Sequence, residues 1–305
     1  MAEAPRSPLS DMLWRRPNLL LLLLVTPPLL WLGIVYLGSL FALLAQSFFS
    51  IDEFSGLINY EFTLKTYGEL FRASNFDILL RTIAMASAVT VGAAIVAFPI
   101  AYYAARYATG KWKAVFYLGV MLPLWSSYLV KVYSWKLILA KEGILNWLFE
   151  TLHLSWVLDA YLSIPGIGGN SLSVSWTGTF LVFLYVWLPF MILPIQAALE
   201  RVPPSMLEAS GDLGARPGQT LRHVILPLAL PGIIAGSIFT FSLTMGDYII
   251  PQIVGTSARM IGQAVYQFQG TAGNIPLAAA FAVVPIVVMG IYLTLAKRAG
   301  AFDAL

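Results

Sequence analysis

The sequence has no cysteine and only two histidines, His153 and His223. Disulfides, thiol redox chemistry and metal sites built on Cys or His clusters are therefore excluded. Charge is scarce as well: Asp, Glu, Lys and Arg make up 11% of the 305 residues, against about a quarter in a soluble domain. The net charge is only +3, and no basic run offers nucleic acid a phosphate-binding face. A GxxxxGK(S/T) phosphate loop is also missing. The Gly110-Lys111 pair is followed by Trp112 and lacks the upstream glycine, so the chain has no nucleotide-hydrolysing loop of its own. No constellation of nucleophile, acid and base stands out, and no catalytic residue is assigned.

Apolar side chains are abundant, at 59% of the sequence, with a mean hydropathy of +0.79. Six apolar segments are long enough to cross a hydrocarbon core of about 30 Å, which needs roughly 20 helical residues. They fall near 19–44, 78–105, 114–139, 179–199, 225–249 and 277–296. The first is longer than a signal-peptide core and has no small-x-small cleavage site, so it is expected to stay as an anchor. The fold class is then an all-α integral membrane protein of six transmembrane helices, a single domain over 1–305.

Lys and Arg set the orientation. With the N-terminus cytoplasmic, the inner side holds Arg6, Arg15, Arg16, Arg106, Lys111, Lys113, Arg201, Arg216, Arg222, Lys297 and Arg298. The outer Lys and Arg are fewer and are diluted by acids such as Asp52, Glu53, Glu61, Glu69 and Asp77. Both termini are expected in the cytoplasm, with 1–18 as an N-terminal cytoplasmic segment. Two outer segments are long, 48–77 and 140–178. In the second, Ile144, Leu145, Leu148 and Leu152 fall at helical spacing and predict a short amphipathic helix at the outer surface. Prolines recur in or beside the spans, and the glycines of "GIIAG", Gly232 and Gly236, invite close approach of a neighbouring helix.

The stretch "LEASGDLGARPGQTLRHVILPL" at 207–228 is polar and charged, between two apolar runs. Pro203 and Pro204 can start a helix, and Met206, Ala209 and Leu213 share one of its faces. Gly214 can end it in a left-handed cap. Pro217 suits the first turn of a second helix that runs through His223 towards Pro227. The pattern alone fits a handle for a protein groove and an amphipathic segment on the headgroups equally well.

Glu208-Ala209-Ser210, then Gly214, then Val224-x-Leu226-Pro227 resembles the EAA loop of importer-type ABC transporter permeases. Ser210 and Val224 depart from the usual alanine and isoleucine. "LPLWSSYLVKVYSWKLILAKEGILN", "VWLPFMILPIQAALERVPPSMLEAS" and "MGDYIIPQIVG" are similar to the spermidine/putrescine branch, over most of the chain from 81 to 295. The resemblance fades at 154–176.

The resemblance implies the type I importer permease fold, a bacterial inner-membrane location and a cytoplasmic coupling loop at about 200–226. Glu208, Ala209, Ser210, Gly214, Leu226 and Pro227 would carry ATPase coupling. It further implies a second permease subunit in a heterodimer, two ABC ATPase subunits that use ATP and Mg, and an extracytoplasmic solute-binding protein. The chain itself would bind no cofactor and no metal.

Asp247 sits in "TMGDYIIP", at the outer end of the fifth apolar run. A carboxylate facing lipid costs about 2.5 to 3.5 kcal/mol at a span's centre. Either it is a solvated rim residue or it contacts a cationic solute together with Tyr248, Trp125, Tyr128, Tyr133 and Trp135. Lys131 and Lys136 are expected to snorkel to the outer headgroups. The solute favoured by the resemblance is a polyamine, with an opine, aminophosphonate or other small amino compound as the alternative. A secondary transporter or channel is the alternative of another class, and it leaves the EAA-like loop without a purpose.

Overall fold

The structure is a computed structural model that describes residues 16–52, 54–164 and 167–298. Most of the segment 1–18 expected in the cytoplasm, with Arg6 and Arg15, lies outside the described residues, as does Glu53.

Continuous apolar sequence forms five long helices: α1 (Pro17–Gln46), α3 (Ala73–Arg106), α8 (Trp176–Glu200), α10 (Pro217–Gly246) and α13 (Ile275–Arg298). The third expected span is broken instead. α4 (Gly110–Trp125) and α5 (Tyr128–Ile138) meet at 96°, and the pair counts as the sixth span. Pro123 lies in the last turn of α4, and Ser126 and Ser127 take non-helical backbone angles. The carbonyl of Pro123 is then met by the Ser126 hydroxyl at 2.9 Å and the Lys131 ammonium at 2.7 Å. Lys131 thus reaches back to the break rather than outward to headgroups, because a freed carbonyl in a bilayer needs a donor.

The centre is a three-helix contact of α3, α8 and α10. α3 presents Ala93, Ala97 and Ala101, each fully buried, at four-residue spacing. They pack with Met191, Ile195 and Leu199 of α8 and with Ile225 and Ala229 of α10. The two glycines of α10 lie where α8 comes closest. A Cβ on Gly232 would stand 2.5 Å from the Pro194 carbonyl and 2.6 Å from Ala198 Cβ, and one on Gly236 would stand 2.7 Å from Met191 Sδ. α1 is different. None of its most apolar window is buried, and it touches the body through its outer third, 38–46, against α13. Pro27 and Pro28 lie inside α1, followed by a π-helical stretch, Trp31–Leu37, the usual accommodation of a disturbed hydrogen-bond ladder.

Outer segments carry short elements. β1 (Ser50–Ile51) pairs antiparallel with β2 (Ile58–Asn59), and α2 (Lys65–Leu70) follows. In the hairpin, the Asp52 carboxylate accepts the Phe54 and Ser55 amides at 2.9 Å. Those bonds hold its pKa below the usual value. The expected amphipathic helix is α6 (Ile144–Thr151), and a second, α7 (Ser155–Leu162), was not legible. Between the last two spans lie α11 (Ile249–Ile253) and α12 (Ile261–Gln269). They are tied to the body by Thr82, whose hydroxyl oxygen accepts the Ile261 amide at 3.0 Å, and by Thr179, whose hydroxyl lies 3.1 Å from the Val254 carbonyl.

Gly232→Ala should destabilise the chain by about 1 to 3 kcal/mol through overpacking against backbone. Gly290→Ala, with open space around its Cβ position, should not. Thermal unfolding of the two variants in detergent checks this contrast.

Candidate functional site

The cytoplasmic corner is built from a helix that must stop and a second one that must start. α9 (Pro204–Asp212) begins at a proline, whose missing N–H costs nothing in a first turn. Gly214 then takes φ +77°. The Ala215 amide reaches the Ser210 carbonyl at 3.1 Å and the Gly214 amide reaches the Gly211 carbonyl at 2.8 Å, which together make a Schellman closure. Pro217 opens α10, with the Arg216 amide donated to Gln219 Oε1 at 2.8 Å. A π-turn, Leu221–Ile225, absorbs the disturbance at Pro227. The second helix therefore does not end near Pro227 as expected; it continues as one 30-residue helix to Gly246.

Glu208, Ala209 and Gly214 are exposed on this corner. Met206 and Leu213 add apolar surface, Leu213 being 88% exposed. Ser210 is buried, and its hydroxyl lies 2.9 Å from that of Thr220, pinning α9 to the first turn of α10. The departure from alanine thus has a structural partner. Leu226 and Pro227 lie apart from this face, beyond the π-turn on α10 and exposed.

At the opposite end, Asp247 follows the last residue of α10. Its Oδ1 accepts the Ile249 and Ile250 amides at 2.7 and 2.9 Å, capping α11, and its Oδ2 accepts the Tyr128 hydroxyl. The carboxylate is held by three donors rather than free, yet it also lines a cavity of about 330 Å³ with Trp187, Ser242, Leu243, Gly246, Tyr248 and Ile249. Tyr128 stacks on Trp187 at 5.9 Å, and Tyr248 stacks on Tyr266 at 5.1 Å. Tyr248 and Gly246 also border a second cavity of about 340 Å³ that includes Tyr266 and Gln269.

Residues 97–300 match the family described as binding-protein-dependent transport system inner membrane component. The chain belongs to this family. It is 58% identical over 296 residues to the inner membrane ABC transporter permease protein YdcU of Escherichia coli (strain K12), covering 97% of this chain and 95% of that protein. It is 29% identical over 273 residues to the spermidine/putrescine transport system permease protein PotB of the same organism, covering 88% and 94%. The fold matches a bacterial alginate ABC transporter, solved in complex with an alginate pentasaccharide-bound periplasmic protein, with a TM-score of 0.69 at 14% identity, covering 96% of this chain and 97% of that one. This is an inner-membrane permease subunit of the ABC importer class with the type I fold.

In this permease the structure brings Asp247, Tyr248 and Tyr128 to one outer cluster and leaves Trp125, Tyr133 and Trp135 out of it. Trp125 and Tyr133 are 74% and 53% exposed, and Trp135 packs on Tyr185 at 5.3 Å. The expectation of one aromatic lining assumed a straight third span, and the 96° break separates Trp125 from α5. Sequence reading missed Trp187 and Tyr266, which lack any local signature because their partners are remote in sequence. It also counted Arg106 only as an inner charge. The Arg106 Nη2 donates to the Leu199 and Val202 carbonyls at 3.1 and 3.0 Å, capping the end of α8.

Gly214→Val should weaken the corner by about 1 to 2 kcal/mol, the cost of a left-handed residue carrying a branched Cβ, and lower transport while membrane insertion persists. Gly214→Asn should be tolerated. Uptake measured at matched expression decides, and equal uptake by the Val variant would contradict the role of the corner.

Proposed function

We propose that this permease passes a small cationic amine, a polyamine first, across the inner membrane, driven by ATPase subunits docked on α9. The chain acts as one transmembrane domain and has no hydrolytic step of its own. ATP and Mg are used by two partner ATPase subunits. A second permease subunit, in a heterodimer, completes the path, and an extracytoplasmic binding protein delivers the solute. Glu208, Ala209, Ser210 and Gly214 form the docking corner, while Leu226 and Pro227 fix how α10 leaves it.

The observation that carries the solute reading is the cavity wall that combines the Asp247 carboxylate with the aromatic surfaces of Trp187 and Tyr248. A carboxylate has about four acceptor positions, and three are occupied here. One remains for an ammonium. Aromatic faces add about 0.5 to 2 kcal/mol each for a cation that has shed water. A single weak site suits transport, since tight binding would slow release. The relationship to the spermidine/putrescine permease PotB points the same way.

A second reading rests on Trp187. Its Nε1–H is buried without a partner among the described residues, and the residue lines the Asp247 cavity. A solute carrying an oxygen acceptor beside its amine, such as an opine or another small amino compound, would pair with that donor once a turn of the indole brings the buried N–H to the cavity wall.

Reconstitution of the permease pair, ATPase subunits and binding protein in liposomes tests these readings. ATP-dependent uptake of labelled spermidine is expected, and Asp247→Asn should lower its rate about tenfold or more with assembly unchanged. Uptake of amino compounds with oxygen acceptors but not of spermidine would favour the second reading. ATP-driven uptake by the purified single chain would refute the subunit assignment.

A further inference from the structure

A polar cluster outside the docking corner and the outer cavities gathers the cytoplasmic ends of three spans at residues 199–202. Arg106, the last residue of α3, gives one guanidinium nitrogen to two carbonyls there, Leu199 and Val202. Glu200, the last residue of α8, receives Lys113 at 2.8 Å, Tyr117 at 3.0 Å and Gln196 at 3.3 Å, all on its Oε1. Lys113 and Tyr117 belong to α4. Pro203 and Pro204 follow at once and start α9, and the far end of α9 is pinned by Ser210 to Thr220 of α10.

A cap on the end of α8 would be sufficient for stability alone, since the last four carbonyls of any helix need donors. The arrangement does more. Three of the four donors, Arg106 of α3 and Lys113 and Tyr117 of α4, come from other spans, and they act at the root of the docking helix rather than along a helix face. Arg106 Nε and Gln196 Oε1 are also buried at this junction without partners among the described residues, so the cluster has a spare donor and a spare acceptor for a small rearrangement.

We propose that Arg106, with Glu200 and its partners, is a clasp that makes α3 and α4 move with α9, so that a displacement of the docking helix is delivered to four spans at once. Without it, only the side-chain packing of α3 on α8 and α10, and a lighter contact of α4 on α8, would tie those two spans to the displacement. Arg106 and Glu200 are then positioning residues for transport. This rests on the reading of α9 as the ATPase docking site. It is independent of which solute is carried.

The test uses the full reconstituted complex, and because this chain has no cysteine it can be spin-labelled before assembly at Thr109→Cys, in the α3–α4 connection, and Ser205→Cys, in the first turn of α9. In the parent, the distance between the labels should stay the same in the nucleotide-free and ATP-trapped states. In Arg106→Met it should change between the two states, and binding-protein-stimulated ATP hydrolysis should fall about tenfold, the rate equivalent of one charge-assisted hydrogen bond. ATPase subunits should still co-purify. The exchange pair Lys113→Glu with Glu200→Lys should recover stimulation lost by either single change.

A distance that changes equally in the parent, or full stimulation in an assembled Arg106→Met complex, overturns the clasp. An Arg106→Met variant that only melts earlier, with stimulation intact, assigns Arg106 to helix capping and also overturns it. If Arg106→Met does not assemble, Arg106→Lys replaces it, and unaltered stimulation in that variant with an unaltered charge-exchange series counts against the clasp. Failure of the underlying docking reading would look different, because ATPase subunits would then bind a permease that carries Gly214→Val in the corner after α9 as well as they bind the parent.

Discussion

Inside a bilayer every backbone carbonyl and amide must find a partner within the protein, and in this chain proline keeps breaking that rule. Helix-internal prolines occur in α1, α3, α4, α8, α10 and α13. Each removes a donor and frees a carbonyl one turn earlier. How the freed or terminal carbonyls are met decides the shape of the permease. Where a π-turn absorbs the disturbance, as after Pro27 and Pro28 or before Pro227, the helix continues. Where Lys131 and Ser126 take the Pro123 carbonyl, the helix turns by 96°. Where Arg106 takes the carbonyls at the end of α8, the span stops and α9 begins.

The consequence for function is mechanical. α9 is short and exposed, but it is anchored at both ends: at its root by the polar cluster on 199–202, and at its far end by the Ser210–Thr220 contact and the Gly214 corner. From the corner, α10 runs unbroken to Gly246, one residue before Asp247 and the outer cavities. A push on α9 therefore has a stiff path of about 45 Å at 1.5 Å per residue to the far side, through the glycine face that lets α10 lie against α8. Packed interfaces of this sort respond as rigid bodies rather than by gradual deformation.

How much of this was legible in the sequence depended on whether the signal was local. The spans were legible because about 20 apolar residues in a row have few other uses. The corner was legible because a left-handed stop asks for glycine and a helix start accepts proline, and Gly214 and Pro217 are spaced to provide both. The break in the third span was not, since Pro123 looks no different from Pro99 or Pro189, which sit inside intact helices. What separates it is a lysine side chain eight residues further on that folds back. The helix α12 and the Trp187–Tyr128–Asp247 cluster were hidden for the same reason: Asp247 and Tyr128 are 119 residues apart. Arg106 looked like an orienting charge, and its carbonyl partners lie more than 90 residues away.

The central claim is that one continuous, anchored element links the cytoplasmic corner to the outer cavities. Amide hydrogen exchange of the permease, with and without its ATPase subunits, measures that continuity residue by residue. The account predicts that ATPase binding protects the amides of 205–215, and that every amide from 221 to 246, prolines 227 and 231 having none, exchanges slowly in both states. Fast exchange at 221–227, or a corner whose exchange is indifferent to the ATPase subunits, would contradict it.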